Sequence, residues 1–291
     1  MLTIKIKSTL KKISIAILLL TSVVSFSQTN SEKIKNDFRD VKSNKGKLFV
    51  YWGWNRDHYS TSDITFKGSN YNFTLNNVKS DDKPKPFGIY YFKLDELTIP
   101  QTNFRIGYFF KENYTLSIGL DHMKYVMRNN TTVKIDGNIN TEGMYDGNYT
   151  NSDILLTEDF LLFEHTDGLN YVNAEVSRFD NLDNWLKFPI KNIDINLTEG
   201  VGVGVLYPKT NTTLLGKERY DEFHVSGYGI SAHVGLNITF FKHFFIQSNM
   251  KVGYINMQDI RTTGSTTDSA SQHFTFLENM YVFGAKFNLT K

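Results

Sequence analysis

The sequence predicts an all-β chain: an eight-stranded antiparallel β-barrel that crosses a membrane on its strands and carries long extracellular loops. Three observations carry this. A period of two runs through the last third, where Ile193, Ile195, Leu197, Val201, Val203 and Val205 alternate with Asp194, Asn196, Thr198, Gly200, Gly202 and Gly204. The scheme returns at 226–241, 244–258 and 273–289, and such alternation is a strand signal. The segments are longer than the five or six residues usual in soluble sheets, and they match the roughly 9–11 residues a tilted strand needs to cross a bilayer. One face of each is apolar and aromatic while the other is small, polar or charged, as lipid outside and a polar lumen inside require.

The start of the chain reads as an export signal. Lys5, Lys7, Lys11 and Lys12 form a basic region, Ile13 to Val24 is an apolar run too short to span a membrane as a helix, and Ser25-Phe26-Ser27 is a small-x-small cleavage site. The expected organisation is therefore a signal peptide over 1–27, a flexible polar periplasmic segment over 28–46 and the barrel over 47–291. The chain has no cysteine, which excludes disulfides, thiolate metal sites and a Cys nucleophile. Its formal charge is +2, so loss of the four signal lysines leaves it near −2, and there is no electrostatic case for nucleic acid. Mean hydropathy is negative, against a helical membrane protein but compatible with a barrel whose lumen and loops are polar. No cofactor is expected.

Eight spanning strands follow in order, at about 47–58, 101–110, 114–128, 169–180, 192–206, 226–241, 244–258 and 273–289. In the first, Leu48, Val50, Trp52 and Trp54 face opposite to Phe49, Tyr51, Gly53 and Asn55. The alternation blurs at His122 to Tyr125, where the third strand should be leaving the bilayer. Connections 59–100 and 129–168 are long. The first holds two short β-like pieces near 63–67 and 71–75, and the second holds Asp136-Gly137 and Asp146-Gly147 as turn dipeptides. Lys111 to Asn113 and Lys242-His243 are tight turns. Long connections after the odd strands and short ones after the even strands put both termini in the periplasm. An eight-stranded barrel is narrow enough for side chains to fill it, so no open pore is expected.

At this point the chain resembles the small outer-membrane barrels of Gram-negative bacteria, the eight-stranded class that includes the OmpA membrane domain, OmpX and OmpW, and more narrowly the Bacteroidetes-type outer-membrane barrels. The stretches that carry the likeness are Gly53-Trp54-Asn55-Arg56-Asp57, Ile99-Pro100-Gln101, Gly119 to Tyr125 and Phe163 to Tyr171. The resemblance implies the fold and an outer-membrane location, with lipid as the partner, a monomeric state and an unknown loop partner; it brings no established activity.

Two groups of residues stand out. Arg105, Asp121, Glu175, His233, Lys251, Glu278 and Lys286 fall on inward positions and read as a lumenal charge network, three basic against three acidic, because buried charges must be paired. At the outer rim, Asp57-His58 ends the first strand, Asp121-His122 ends the third, Glu164-His165-Thr166-Asp167 precedes the fourth and His224 precedes the sixth. A carboxylate beside a histidine can orient it for base catalysis, which makes His122 and His165 candidate bases with Asp121, Glu164 and Asp167 as orienting groups. The alternatives are thus a non-enzymatic barrel that acts through its loops, a lipid hydrolase or acyl-modifying enzyme at the rim, a narrow solute channel, and a soluble carrier of an apolar ligand.

Overall fold

A computed structural model describes residues 43–86, 88–92, 100–186 and 192–288. The compact unit begins at Asn44, and the expected signal and most of the polar lead-in lie outside the described residues. The strands in chain order are β1 (Lys47–Tyr59), β2 (Ser62–Gly68), β3 (Tyr71–Val78), β4 (Ser80–Asp81), β5 (Thr102–Phe109), β6 (Tyr114–Met127), β7 (Thr132–Ile139), β8 (Gly147–Leu155), β9 (Leu161–Asn181), β10 (Ile193–Leu206), β11 (Lys209–Leu214), β12 (Tyr220–Phe223), β13 (Gly227–Phe240), β14 (Phe244–Arg261) and β15 (Ser269–Asn288). A one-turn helix, α1 (Asp183–Leu186), follows β9.

Eight of these strands close a ring. β1, β5, β6, β9, β10, β13, β14 and β15 pair in that order, every pair antiparallel, and β15 returns to β1 over the register Lys47↔Asn288 to Tyr59↔Phe276. Closure leaves the ring without an edge strand, so ladder donors and acceptors are satisfied within it. The outward face carries an apolar belt that includes Phe104, Ile106, Leu116, Ile118, Val172, Val176, Val201, Val203, Ile230, Leu236, Ile246, Val252 and Phe283, all exposed. Water would penalise a continuous patch of this size, so it is suited to lipid. Trp185 on α1, and Phe241 and Phe244 at the next short connection, are exposed at the same end, where aromatic rings suit a membrane interface.

The short connections hold small differences from expectation. The tight turn after β13 is centred on Phe241 and Lys242, both at positive φ (52° and 65°), rather than on Lys242-His243. Two consecutive positive φ values make a turn whose twist matches a hairpin, and here non-glycine residues adopt it. Asp136-Gly137 is not a turn. Gly137 lies inside β7 at a register shift, at φ 119°, where an added Cβ would sit 2.2 Å from the Asn72 carbonyl oxygen. Only glycine relieves both constraints at that point.

The described parts of the long connections are not loose. β6, β9, β14 and β15 continue well past the belt, and the remaining strands build onto them. A sheet runs from β15 through β2, β3 and β7 to β8, while β11 joins β9, with β12 outside it. In this outer region the polarity of the two faces inverts. On β15, Phe274 and Phe276 are buried while His273 and Thr275 are exposed; farther along the strand toward its C-terminal end, Glu278 is buried and Tyr281 and Phe283 are exposed. The inverted segments enclose an apolar core that includes Ile64, Phe66, Phe73, Met123, Tyr125, Phe160, Phe163, Leu169 and Phe274. Phe66 stacks on Phe73 at 5.3 Å and meets Phe163 edge-on at 5.5 Å. The connections thus form a cap with a core of the kind found in water-soluble domains.

Because the cap and the ring have separate cores, Phe163→Ala should loosen the cap without opening the ring. A buried Phe→Ala change costs about 3–5 kcal/mol. Limited proteolysis should then cut 62–81 and 132–155 much faster than in the wild type, while the eight ring strands stay protected. Equal cutting rates would contradict two separate cores.

Candidate functional site: the lumen and the outer rim

Alternation on the ring strands sends one residue in two into the lumen, and there the charged residues meet. Lys251 of β14 is fully buried, with Nζ 2.5 Å from Asp121 Oδ2, 2.8 Å from Glu175 Oε1 and 3.7 Å from Glu278 Oε2. Arg105 of β5 lies beside it. Its Nη2 is 3.0 Å from Glu175 Oε1 and donates to Asn173 Oδ1 at 2.6 Å, its Nε donates to the Tyr51 hydroxyl at 2.9 Å, and its Nη1 donates to Ser117 Oγ at 3.2 Å. His233 Nδ1 is 3.6 Å from Glu175 Oε2. Glycines make the room these long side chains need: a Cβ on Gly119 would lie 2.8 Å from the Arg105 Cζ, and one on Gly202 would lie 2.7 Å from the Glu175 Cγ.

Lys286 stands apart from this network. Its Nζ donates to Thr239 Oγ1 at 3.0 Å and lies 5.4–5.6 Å from the ring centres of Phe109, Phe179 and Phe245, a cation–π cage. The network itself is therefore two cations against three carboxylates, not three against three. Amides make up the difference: Asn103 Nδ2 donates to both Asp121 Oδ1 and Glu278 Oε1 at 2.8 Å, and Asn173 Nδ2 donates to Asp121 Oδ2 at 2.9 Å. Asn103, Asn173 and Tyr51 were not singled out from the sequence, although each sits at an inward position of a recognised strand. Between the network and the Lys286 cage lies a cavity of about 10 Å³, room for roughly one water.

The rim residues do not assemble. Asp121 and His122 are consecutive on β6, so alternation turns Asp121 into the lumen and His122 away from it. Nδ1 of His122 hydrogen-bonds Asn170 Oδ1 at 2.8 Å, and Nε2 is buried without a partner. His165 is fully buried in the cap core against Tyr125 and Phe163, with ring centres at 5.5 and 5.0 Å. Gln272 Nε2 donates to His165 Nε2 at 3.1 Å, so the ring proton is on Nδ1, which donates to Thr210 Oγ1 at 2.9 Å. Glu164 accepts from Asn211 Nδ2 at 2.8 Å and lies 3.8 Å from Lys83, while Asp167 pairs with Lys209 at 3.5 Å. No carboxylate among these orients either histidine. The His–carboxylate contact that does form at the outer end joins His224 Nε2 and Asp259 Oδ2 at 2.9 Å.

Burial without a counter-charge pushes the His165 imidazole down to about 3, and it lies beyond the belt. In the unfolded chain it titrates near 6.5, so between these values the unfolded state binds the proton that the folded state refuses. His165 therefore contributes a loss of stability as pH falls from about 6.5 toward 3. The thermal midpoint of the cap should drop over that window, and His165→Gln should flatten the drop; an unchanged pH profile in the variant would refute this.

Lys251→Met should leave three carboxylates without their shared cation. Breaking a buried pair from one side costs about 3–5 kcal/mol. The urea midpoint of the folded protein, followed by tryptophan fluorescence, should fall accordingly, and adding Glu175→Gln should restore part of it. A wild-type midpoint in Lys251→Met would mean that the network does not hold the lumen.

No protein-family model matches the chain, and no curated protein matches it. Among solved structures it is similar to the outer membrane protein OprG from Pseudomonas aeruginosa, at 12% identity over 84% of this chain and 98% of that one, with a TM-score of 0.38. It is similar to Ail, the attachment invasion locus protein of Yersinia pestis, at 12% identity over 84% and 99%, with a TM-score of 0.32. Neisserial surface protein A matches at 10% identity over 84% and 100%, with a TM-score of 0.34. Overlaps at this level carry no argument of their own; the eight-stranded barrel rests on the closed ring described above.

Proposed function

We propose that the protein is a monomeric, non-conducting barrel of the bacterial outer membrane that acts through its folded outer cap, as an envelope component or a binding module. The observation that carries this reading is the filled axis of the molecule. The Lys251–Arg105 network occupies the middle of the lumen, and the apolar core of the cap lies over its outer end. Filling of this kind suits a wall element and opposes a solute channel. The apolar belt supports membrane residence, and a lumen lined by charges opposes a carrier of apolar ligands. A hydrolase at the rim has less support, since His165 is sealed in the cap and the base candidate His122 is oriented by an amide rather than a carboxylate.

Reconstituted into planar bilayers, the protein should give no steady conductance. Cells carrying His122→Ala and His165→Ala should show the same lipid A and phospholipid acylation as the wild type. Stable unitary currents would overturn the closed lumen, and altered acylation would revive the hydrolase.

A further inference from the structure

At the outer end of the lumen three side chains touch one another and leave oxygens without donors. Asp57, near the end of β1, is 3% exposed. Its backbone N–H donates to Asp82 Oδ2 at 3.0 Å, and its Oδ2 accepts from Gln101 Nε2 at 3.0 Å. Gln101, just before β5, is fully buried, and its Nε2 also donates to Asn55 Oδ1 at 3.0 Å. The amide nitrogen is thus committed to two acceptors, and flipping the amide would face oxygen with oxygen. Asp57 Oδ1, Asp82 Oδ1 and Gln101 Oε1 are all shut off from solvent, and none receives a hydrogen bond.

Among the described residues the charges nearest Asp57 do not compensate, whereas Asp82 has the Arg56 guanidinium and the Lys124 ammonium nearby. Asp57 faces Asp82, Asp121 and Glu278, carboxylates all. Lys251 is taken up by Asp121, Glu175 and Glu278. The Arg56 guanidinium approaches Asp82 but donates to the Asn55 carbonyl at 2.6 Å and the Tyr91 hydroxyl at 3.4 Å, while Lys83 pairs with Glu164. A buried carboxylate oxygen with neither a donor nor a cation is costly. What Asp57 Oδ1 and Gln101 Oε1 lack is a donor or a cation.

We propose that Asp57, Asp82 and Gln101 form a binding site for one divalent cation of the calcium class. The donor set is oxygen only, two carboxylates and one amide carbonyl, which suits a hard cation. It does not suit zinc or copper, which favour nitrogen and sulfur. Among the described residues no three His, Cys, Asp or Glu side chains gather as a metal site, so the amide oxygen is needed as the third donor. The three donors come from separate places: β1, the connection after β4 and the residue preceding β5. A bound cation would therefore fasten the long first connection to the barrel wall.

The test uses the mature protein folded in detergent and stripped with a chelator. Calcium binding is measured by isothermal titration, and terbium binding by luminescence sensitised through Tyr59, whose hydroxyl lies beside Asp57. One saturable site is expected. Asp82→Asn and Asp57→Asn should each weaken it on the order of tenfold or more, whereas Glu142→Gln on an exposed turn should not. Asp82 is only half-buried on a connection, so Asp82→Asn decides the matter even if Asp57→Asn fails to fold. Absence of saturable binding to the folded wild type, or unchanged affinity in Asp82→Asn, would overturn the proposal.

Discussion

The structure depends on keeping one ammonium group inside a barrel. Lys251 has no exposure, and its charge is held by carboxylates from three other strands: Asp121 on β6, Glu175 on β9 and Glu278 on β15. An isolated buried charge costs several kcal/mol, whereas this one is shared and its partners are further held by Arg105, Asn103 and Asn173. The network constrains the register of the ring. A slip of one residue on any of these strands would turn its charge into the lipid-facing belt and bring an apolar side chain into the lumen. Specific ion pairs here do what a close-packed apolar core does in a soluble domain.

The same rule, applied to a change of surroundings along each strand, explains the cap. Where lipid lies outside, the lumen side is polar. Where water lies outside, the interior side is apolar. β15 passes through this change without a break, from Glu278 inward to Phe276 and Phe274 inward. The hydrogen-bond ladder continues, and only the environment of the two faces differs. This is why β6, β9, β14 and β15 can run on beyond the belt and serve as the template to which β2, β4 and β11 add. The described parts of the long connections become a second folded layer with its own aromatic core.

Much of this was legible in the sequence, and the limits were physical. The eight ring strands were readable because lipid on one side and a polar lumen on the other enforce a strict period of two, and the strand starts at Ile193, Gly227 and Phe244 fall within a residue or so of expectation. The blur at His122 to Tyr125 was the inversion itself: Asp121, Met123 and Tyr125 share the inward phase, but their polarity switches. Reading polarity alone, without allowing it to invert, made β9 begin near 169 instead of Leu161 and hid the apolar set Phe160, Phe163 and Leu169. The rim cluster failed for a simpler reason. Neighbours in sequence on a strand point to opposite faces, so Asp121 could not orient His122. Lys286 was assigned to the charge network on phase alone, and phase does not report height along the barrel axis.

The chain is a closed barrel whose outward belt is suited to lipid. The most direct measurement fractionates cells, extracts the envelope in mild detergent and compares unheated with boiled samples on a denaturing gel. The protein should be found in the outer-membrane fraction, and boiling should change its migration, because the ring stays folded in detergent until heated. A soluble periplasmic protein with the same mobility before and after boiling would contradict it, and the exposed belt would then need another partner.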